Sequence, residues 1–171
     1  GRFNAEAWLS TALNNRLELS LADKAGHLID GVETAADWSL NWAGLAHPCE
    51  ALARSSVQDQ FWSLARQLAT GKTATQQKAG VAIEQAMGLS ELRSRHKALR
   101  KALLTDKGEP RKKMGELADL EWAQAWLVDL QQAITQQEGH VLHGHMVNLS
   151  RVLFDEYARF KTERGLADMV D

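Results

Sequence analysis

The chain has 171 residues, 25% of them charged, and a net charge of −2. This composition is typical of a globular domain that buries a core of its own. No run of 18 apolar residues and no basic-then-apolar leader occurs, so neither a membrane span nor export is expected. The single cysteine excludes an internal disulfide. We therefore expect a cytoplasmic protein with no membrane partner.

Helix-forming residues dominate the chain, and only two prolines occur, which predicts an all-α fold. In the first fifty residues, apolar spacings of three and four predict helices over 4–19, capped by Asn4, and over 21–29. Thr34 is predicted to open a helix that carries Trp38 and Trp42 and ends before Pro48. Pro48 then suits the first turn of the next helix.

Three helices are predicted in the middle of the chain. Ser56 is the predicted cap of the first, which ends at Gly71. Thr73 and Gln76 form a capping pattern for the second, which runs to Met87. Ser90 is the predicted cap of the third, which has leucines on one face and basic residues on the other.

Two long helices complete the predicted fold, over 116–137 and 140–164. Gly139 either separates them or lies within one continuous helix. Neither long helix can bury its apolar stripe alone, so each must pack on other helices. The prediction is a multi-helix bundle that forms one helical subdomain over 1–171.

Charge is unevenly distributed along the sequence. Residues 93–113 carry nine bases and two acids, a local charge of +7, whereas the remainder carries −9. A basic strip on an acidic body can approach a phosphate backbone on one face, although a solvated helix face beside a basic loop is the alternative. The predicted DNA-binding residues, from the helix and from the basic loop over 105–115, are Arg93, Lys97, Arg100, Lys101, Lys107, Arg111, Lys112 and Lys113.

Other candidate sites are weak. Gly71-Lys72-Thr73 resembles the end of a phosphate-binding loop, but Arg66 stands where that loop needs a glycine. His140 and His143 share a helix face without the third ligand that zinc requires. No catalytic residue, metal or cofactor is therefore predicted within this segment.

Three stretches of the sequence resemble one family when they are taken in order. Leu103-Leu-Thr-Asp-Lys-Gly-Glu-Pro-Arg-Lys-Lys113 resembles the LT-x-x-G-x-P-R-K loop of AddA/RecB-type helicases, and residues 71–79 resemble the polar stretch that precedes it. Residues 157–161 and 165–171 resemble the region where UvrD-like helicases return to their first motor domain. Met169 stands where that family usually has Phe, and Val170 where an acid is common.

The resemblance implies that this chain is the helical insertion, or 1B subdomain, of a protein like the exonuclease V beta subunit. Such a parent is an ATP-dependent 3′→5′ DNA helicase and exonuclease of double-strand-break repair and recombination. Its ATP and Mg sites lie in the flanking motor domains. The implied partners are duplex or forked DNA, the rest of the helicase chain and a partner nuclease subunit, with Arg111, Lys112 and Lys113 facing DNA.

A second hypothesis is a protein-docking module that holds a partner subunit or the motor domains. It depends on the six tryptophans and the acidic body, because aromatic residues are enriched at protein interfaces. It predicts that exposed tryptophans cluster on one surface.

Overall fold

The structure, a computed structural model, describes residues 5–165. The predicted all-α class is confirmed: the described chain is helical apart from its connections and one isolated bridge between Leu104 and Pro110. The α-helices are α1 (Ala5–Asn14), α2 (Arg16–Lys24), α3 (Ala35–Trp38), α4 (Ser55–Ala69), α5 (Ala74–Met87), α6 (Leu92–Leu103) and α7 (Ala118–Arg164). Short 3-10 helices cover Ile29–Gly31, Leu40–Trp42 and Pro48–Ala53.

The chain divides into two compact units. The central unit is Ala35–Gln137, and the terminal unit combines residues 5–34 with residues 138–165. Only α7 runs through both among the described helices, and it does so as one continuous helix of 47 residues. Gly139 therefore lies inside a helix and does not separate two. The predicted return segment beyond Gly165 lies outside the described residues.

The core of the central unit comes from α4, α5, α6 and the first half of α7. Phe61 and Leu64 of α4 and Ile83 of α5 are fully buried. Gly80 is required where α4 and α5 meet, because a Cβ atom there would lie 2.7 Å from the Ala65 carbonyl oxygen and 2.6 Å from the Ala69 nitrogen. The two helices consequently pack with their backbones in close approach.

The predicted helix starts were partly correct. Thr73 and Gln76 form the predicted capping box, and Pro48 begins its 3-10 helix as expected. Arg54, not Ser56, precedes α4, and it caps no backbone group with its side chain. Glu91 replaces the predicted cap Ser90, since a carboxylate one residue later reaches two amides of α6.

Two predicted helices in the N-terminal region are shorter than expected. The helix predicted over 4–19 divides at Asn15 into α1 and α2, and its proposed cap, Asn4, lies outside the described residues. The helix predicted to carry both Trp38 and Trp42 instead ends at Trp38 and gives way to a 3-10 turn. Ser39, whose backbone is extended, breaks it.

Candidate nucleic-acid interface

Helix α6 turns a basic stripe to solvent. Leu99 and Leu103 are fully buried on one face, which orients the opposite face outward. Arg93, Lys97 and Lys101 recur there every four residues and are all exposed. At 1.5 Å per residue they extend over about 12 Å, and that length of duplex axis carries roughly three or four phosphates of each strand.

Glu91 fixes where this stripe begins. Its carboxylate accepts hydrogen bonds from the amides of Arg93 (3.1 Å) and Ser94 (2.7 Å) and from the Ser94 hydroxyl. These bonds, chiefly those from Ser94, hold the pKa of Glu91 below its ordinary value. The carboxylate therefore stays ionised and satisfies amides that the first turn of a helix leaves unpaired.

The basic loop that follows α6 is ordered by its own backbone. Thr105 donates its amide to the Glu109 carbonyl (2.8 Å), and Gly108 donates its amide to the Thr105 carbonyl (2.9 Å). Gly108 has φ +81°, a conformation that side chains other than glycine rarely adopt. The turn holds Lys107 exposed at its tip.

Arg111 has a structural role that could not be predicted from the sequence. Its Nε donates to the Leu104 carbonyl (2.8 Å) and its Nη2 to the Lys101 carbonyl (3.0 Å). The guanidinium thus satisfies carbonyls that the C-terminal end of α6 leaves unpaired. Gln124 of α7, buried, joins the same junction by donating to the carbonyls of Leu103 and Arg111, both at 3.1 Å.

The eight predicted DNA-binding residues therefore fall into distinct groups. Arg111 is engaged with backbone carbonyls. Arg100 is half-buried, and its Nε is shielded from solvent and has no hydrogen-bond partner in the described part of the chain. Arg93 is exposed and already has an interaction within the chain. The remaining five are exposed and form no ion pair within residues 5–165. We call these five lysines the basic surface: Lys97, Lys101, Lys107, Lys112 and Lys113.

A shallow groove between α5 and α6 adjoins the basic surface. It consists of two adjoining hollows of about 250 and 450 Å³ that share Ala82 and Ala102. Five of its twelve lining residues are alanines, and three are cations: Lys78, Lys101 and Arg111. A depression with cations along it suits an extended anionic chain better than a small apolar ligand.

A buried histidine lies beneath the basic stripe. His96 of α6 is 7% exposed, and its Nε2 has no hydrogen-bond partner within the described chain. Burial, with the neighbouring charges of Arg100 and His47, lowers its pKa from 6.5 to about 4. His96 is therefore neutral at physiological pH, and it adds no charge to the surface above it.

The histidines of the terminal unit anchor a loop. His140 Nδ1 lies 2.6 Å from the Val32 carbonyl oxygen, and His143 Nε2 is hydrogen-bonded to the Leu28 carbonyl oxygen. No group of three or more His, Cys, Asp or Glu side chains with the geometry of a metal site occurs among residues 5–165. These ring nitrogens hold the turn at 28–32 against α7.

Three tryptophans belong to the core of the central unit. Trp122 stacks on Trp126 with their ring centroids 6.0 Å apart, and Trp42 lies 6.1 Å from Trp126. Phe61 contacts both Trp122 and Trp126 at under 6 Å. This packing accounts for half of the tryptophans on which the docking hypothesis depends, while Trp38 and Trp62 are exposed by 48% and 37%.

Comparisons of this chain with protein-family models, with curated proteins and with solved structures gave no match. No helix among the described residues is long and apolar enough to cross a membrane.

Proposed function

We propose that this chain is a DNA-contacting helical subdomain of a larger ATP-dependent DNA helicase and exonuclease, equivalent to the helical insertion of AddA/RecB-type enzymes. The observation that carries the proposal is the basic surface. Five exposed lysines that form no ion pair among residues 5–165 lie on one helix face and the loop that follows it. Unpaired cations repel one another, and the negative charge of a phosphate backbone relieves that repulsion. The lysines in turn displace counterions condensed on the DNA, and the release of these ions favours binding.

The chemistry of the surface favours contact with phosphates over contact with bases. Lysine ammonium groups are point charges that bind phosphates without reading sequence. No Phe, Trp or Tyr lies within residues 93–113, and the ring of His96 is buried, so stacking of bases on this strip has no support. The proposed contact is therefore sequence-tolerant and positions duplex or forked DNA for motor domains outside this chain, where ATP and Mg would bind.

The proposal extends to the compartment. We propose that the parent enzyme acts in the reducing cytoplasm, with which the free, buried thiol of the single cysteine, Cys49, is compatible.

Fluorescence anisotropy with a labelled forked duplex tests the proposal. If all five lysines contact phosphates, the logarithm of the affinity falls against the logarithm of salt concentration with a slope of about −4 to −5. Replacing Lys112 and Lys113 with Ala should make that slope shallower by about 2. Arg111 is left intact because its loss would disturb the end of α6.

The matched control changes Lys24 and Arg66 to Ala, since both are exposed and the charge lost is the same. The control should bind as the unaltered chain does. Absence of binding at low salt, or an equal loss in the control and the Lys112/Lys113 variant, would refute direct DNA contact through the basic surface.

A further inference from the structure

An apolar face on the second half of α7 is exposed. Its residues lie in the terminal unit and have 41–59% of their surface accessible, far more than a core residue. They recur at spacings that keep one side of a helix in line. We call this the α7 face, and its apolar members are Val141, Leu142, Leu149, Val152 and Phe160.

The centre of this face has a heptad pattern. Leu142, Leu149 and Glu156 recur every seven residues, and a second row of His145, Val152 and Arg159 lies between them. Both rows are exposed along their whole length. Alternating spacings of three and four produce the seam along which two helices pack as a coiled coil.

We infer that the α7 face binds a second copy of this chain, with the two α7 helices antiparallel. A two-fold axis between residues 150 and 151 sets each Leu149 opposite Val152 of the second copy, so the centre of the contact is apolar. The next layer outward sets His145 opposite Glu156, which is a favourable polar pair. Such a contact is self-complementary, as a two-fold interface must be.

Charge decides against the parallel arrangement. In a parallel, in-register pair each residue meets its own equivalent, so Glu156 would face Glu156 and Arg159 would face Arg159. Like charges directly opposed at a seam destabilise pairing. In the antiparallel pair Arg159 instead lies opposite Leu142, where its methylene stem can cover the leucine while its guanidinium stays on Glu156 of its own helix at 2.7 Å.

The contact is of modest size. From Leu142 to Arg159 it extends over about 26 Å of helix, with Val141 and Phe160 flanking the seam. The outermost layer sets Glu138 opposite Glu163, which weakens both ends. We therefore expect a reversible dimer with a dissociation constant in the micromolar range.

Sedimentation equilibrium of the 171-residue chain without DNA measures this association. The unaltered chain should show a monomer–dimer equilibrium. Val152→Glu should raise the dissociation constant on the order of 100-fold, because it buries an unpaired carboxylate at the centre. Since Val152 is exposed, the helical circular dichroism should not change.

The matched control is Leu40→Glu, which adds the same charge at a leucine of the central unit that is 89% exposed. It should dimerise as the unaltered chain does. A chain that remains monomeric up to about 1 mM, or a Leu40→Glu variant as impaired as Val152→Glu, would overturn the inference.

Cysteine cross-linking tests the direction of pairing. A mixture of Leu149→Cys and Val152→Cys chains, one of them mass-tagged, should give mainly mixed disulfide dimers on brief oxidation. A parallel dimer would instead link each variant to itself and would contradict the antiparallel arrangement. The unaltered chain sets the background, because Cys49 is buried.

Discussion

The two halves of helix α7 belong to different units and have different surroundings. In the central unit, Leu120, Leu127 and Leu130 are at most 2% exposed. In the terminal unit, Val147 and Ser150 are the buried residues of the same helix among those described, and Leu149 and Val152 are exposed. The first half packs against a core supplied by three other helices, whereas the second half shares its unit, among the described residues, with the short helices α1 and α2 and the turn at 28–32. Apolar periodicity therefore indicates which face of a helix can be buried. The number of elements that pack against that face determines how much of it is buried.

The largest expected difference between the halves concerns leucine truncation. Leu127→Ala leaves a cavity in a packed core and should lower the free energy of unfolding by about 3 kcal/mol. Leu149→Ala removes a side chain that is 41% exposed and should cost less than about 1 kcal/mol. Urea unfolding of both variants at concentrations well below micromolar, where the proposed dimer is dissociated, measures the difference. Equal losses would contradict the contrast in packing.

The next effect concerns pH and the core of the central unit. The pKa of His96 is about 4 in the folded chain and 6.5 when unfolded, so unfolded chains bind more protons between these values. The stabilising contribution of neutral His96 is complete above pH 6.5 and is lost as pH falls toward 4, by about 3 kcal/mol.

Comparison with His96→Leu isolates that contribution, since carboxylates titrate in both proteins and cancel. The free energies of unfolding of the two proteins, measured by urea titration from pH 7.5 to 4, should change relative to each other mainly between pH 6.5 and 4. If the free energies of unfolding of the two proteins differ by the same amount at every pH, protonation of His96 does not contribute to the pH dependence of stability.

A smaller effect on stability should distinguish Arg111, which caps the end of α6, from the exposed lysines of the basic loop. Arg111→Ala removes two hydrogen bonds to carbonyls at the end of α6 and should cost about 1–2 kcal/mol of stability. Lys112→Ala removes an exposed side chain that has no ion-pair or hydrogen-bond partner between residues 5 and 165, and it should change stability by less than about 0.5 kcal/mol. Thermal unfolding of the two variants provides the measurement, and a loss on Lys112→Ala as large as that on Arg111→Ala would contradict the assignment.

The smallest effect is a gain in stability within the second half of α7. Gly139 and Gly144 lie inside the helix, and a Cβ atom at either would have no neighbour within 4 Å. Changing either to Ala should stabilise the chain by about 0.5–1 kcal/mol, because alanine loses less conformational freedom than glycine on entering a helix. Thermal unfolding at low protein concentration tests this, with a decrease indicating that the helix is interrupted there.

The helical class could be predicted from the sequence because its cues are local. The capping box of Thr73 and Gln76 and the leucine spacing of α6 each depend on residues within a few positions of one another. The division of the N-terminal region at Asn15, and the length of α3, could not be predicted, since Asn15 and Ser39 are no stronger as helix breakers than polar residues inside longer helices. Tertiary packing outweighs such weak local preferences.

The candidate site was predictable in outline only. The clustering of bases over 93–113 is visible in the sequence, and the five lysines of the basic surface are the members of that cluster that the structure leaves exposed and without an ion pair among residues 5–165; their contact with DNA stays a prediction. The structural role of Arg111 could not be predicted from the sequence, because it depends on hydrogen bonds to the carbonyls of Lys101 and Leu104, which a turn brings close to its side chain. Gln124 gave the one available signal, as a polar residue among the buried positions of a long apolar stripe.

The terminal unit is assembled from two stretches of chain that the whole central unit separates. Its formation therefore closes a loop of about 100 residues, which has an entropic cost if the loop is flexible. When the central unit is already folded, the loop is no longer flexible and most of that cost has been met. During synthesis on the ribosome, the second half of α7 is made roughly 5–20 s after α1 and α2, at ordinary rates of synthesis. During that interval Leu17 and Leu21, still exposed by 54% and 62% in the finished fold, belong to a helix that contacts α1 but has no α7 to pack on. This region is accordingly where a nascent chain would most depend on a chaperone.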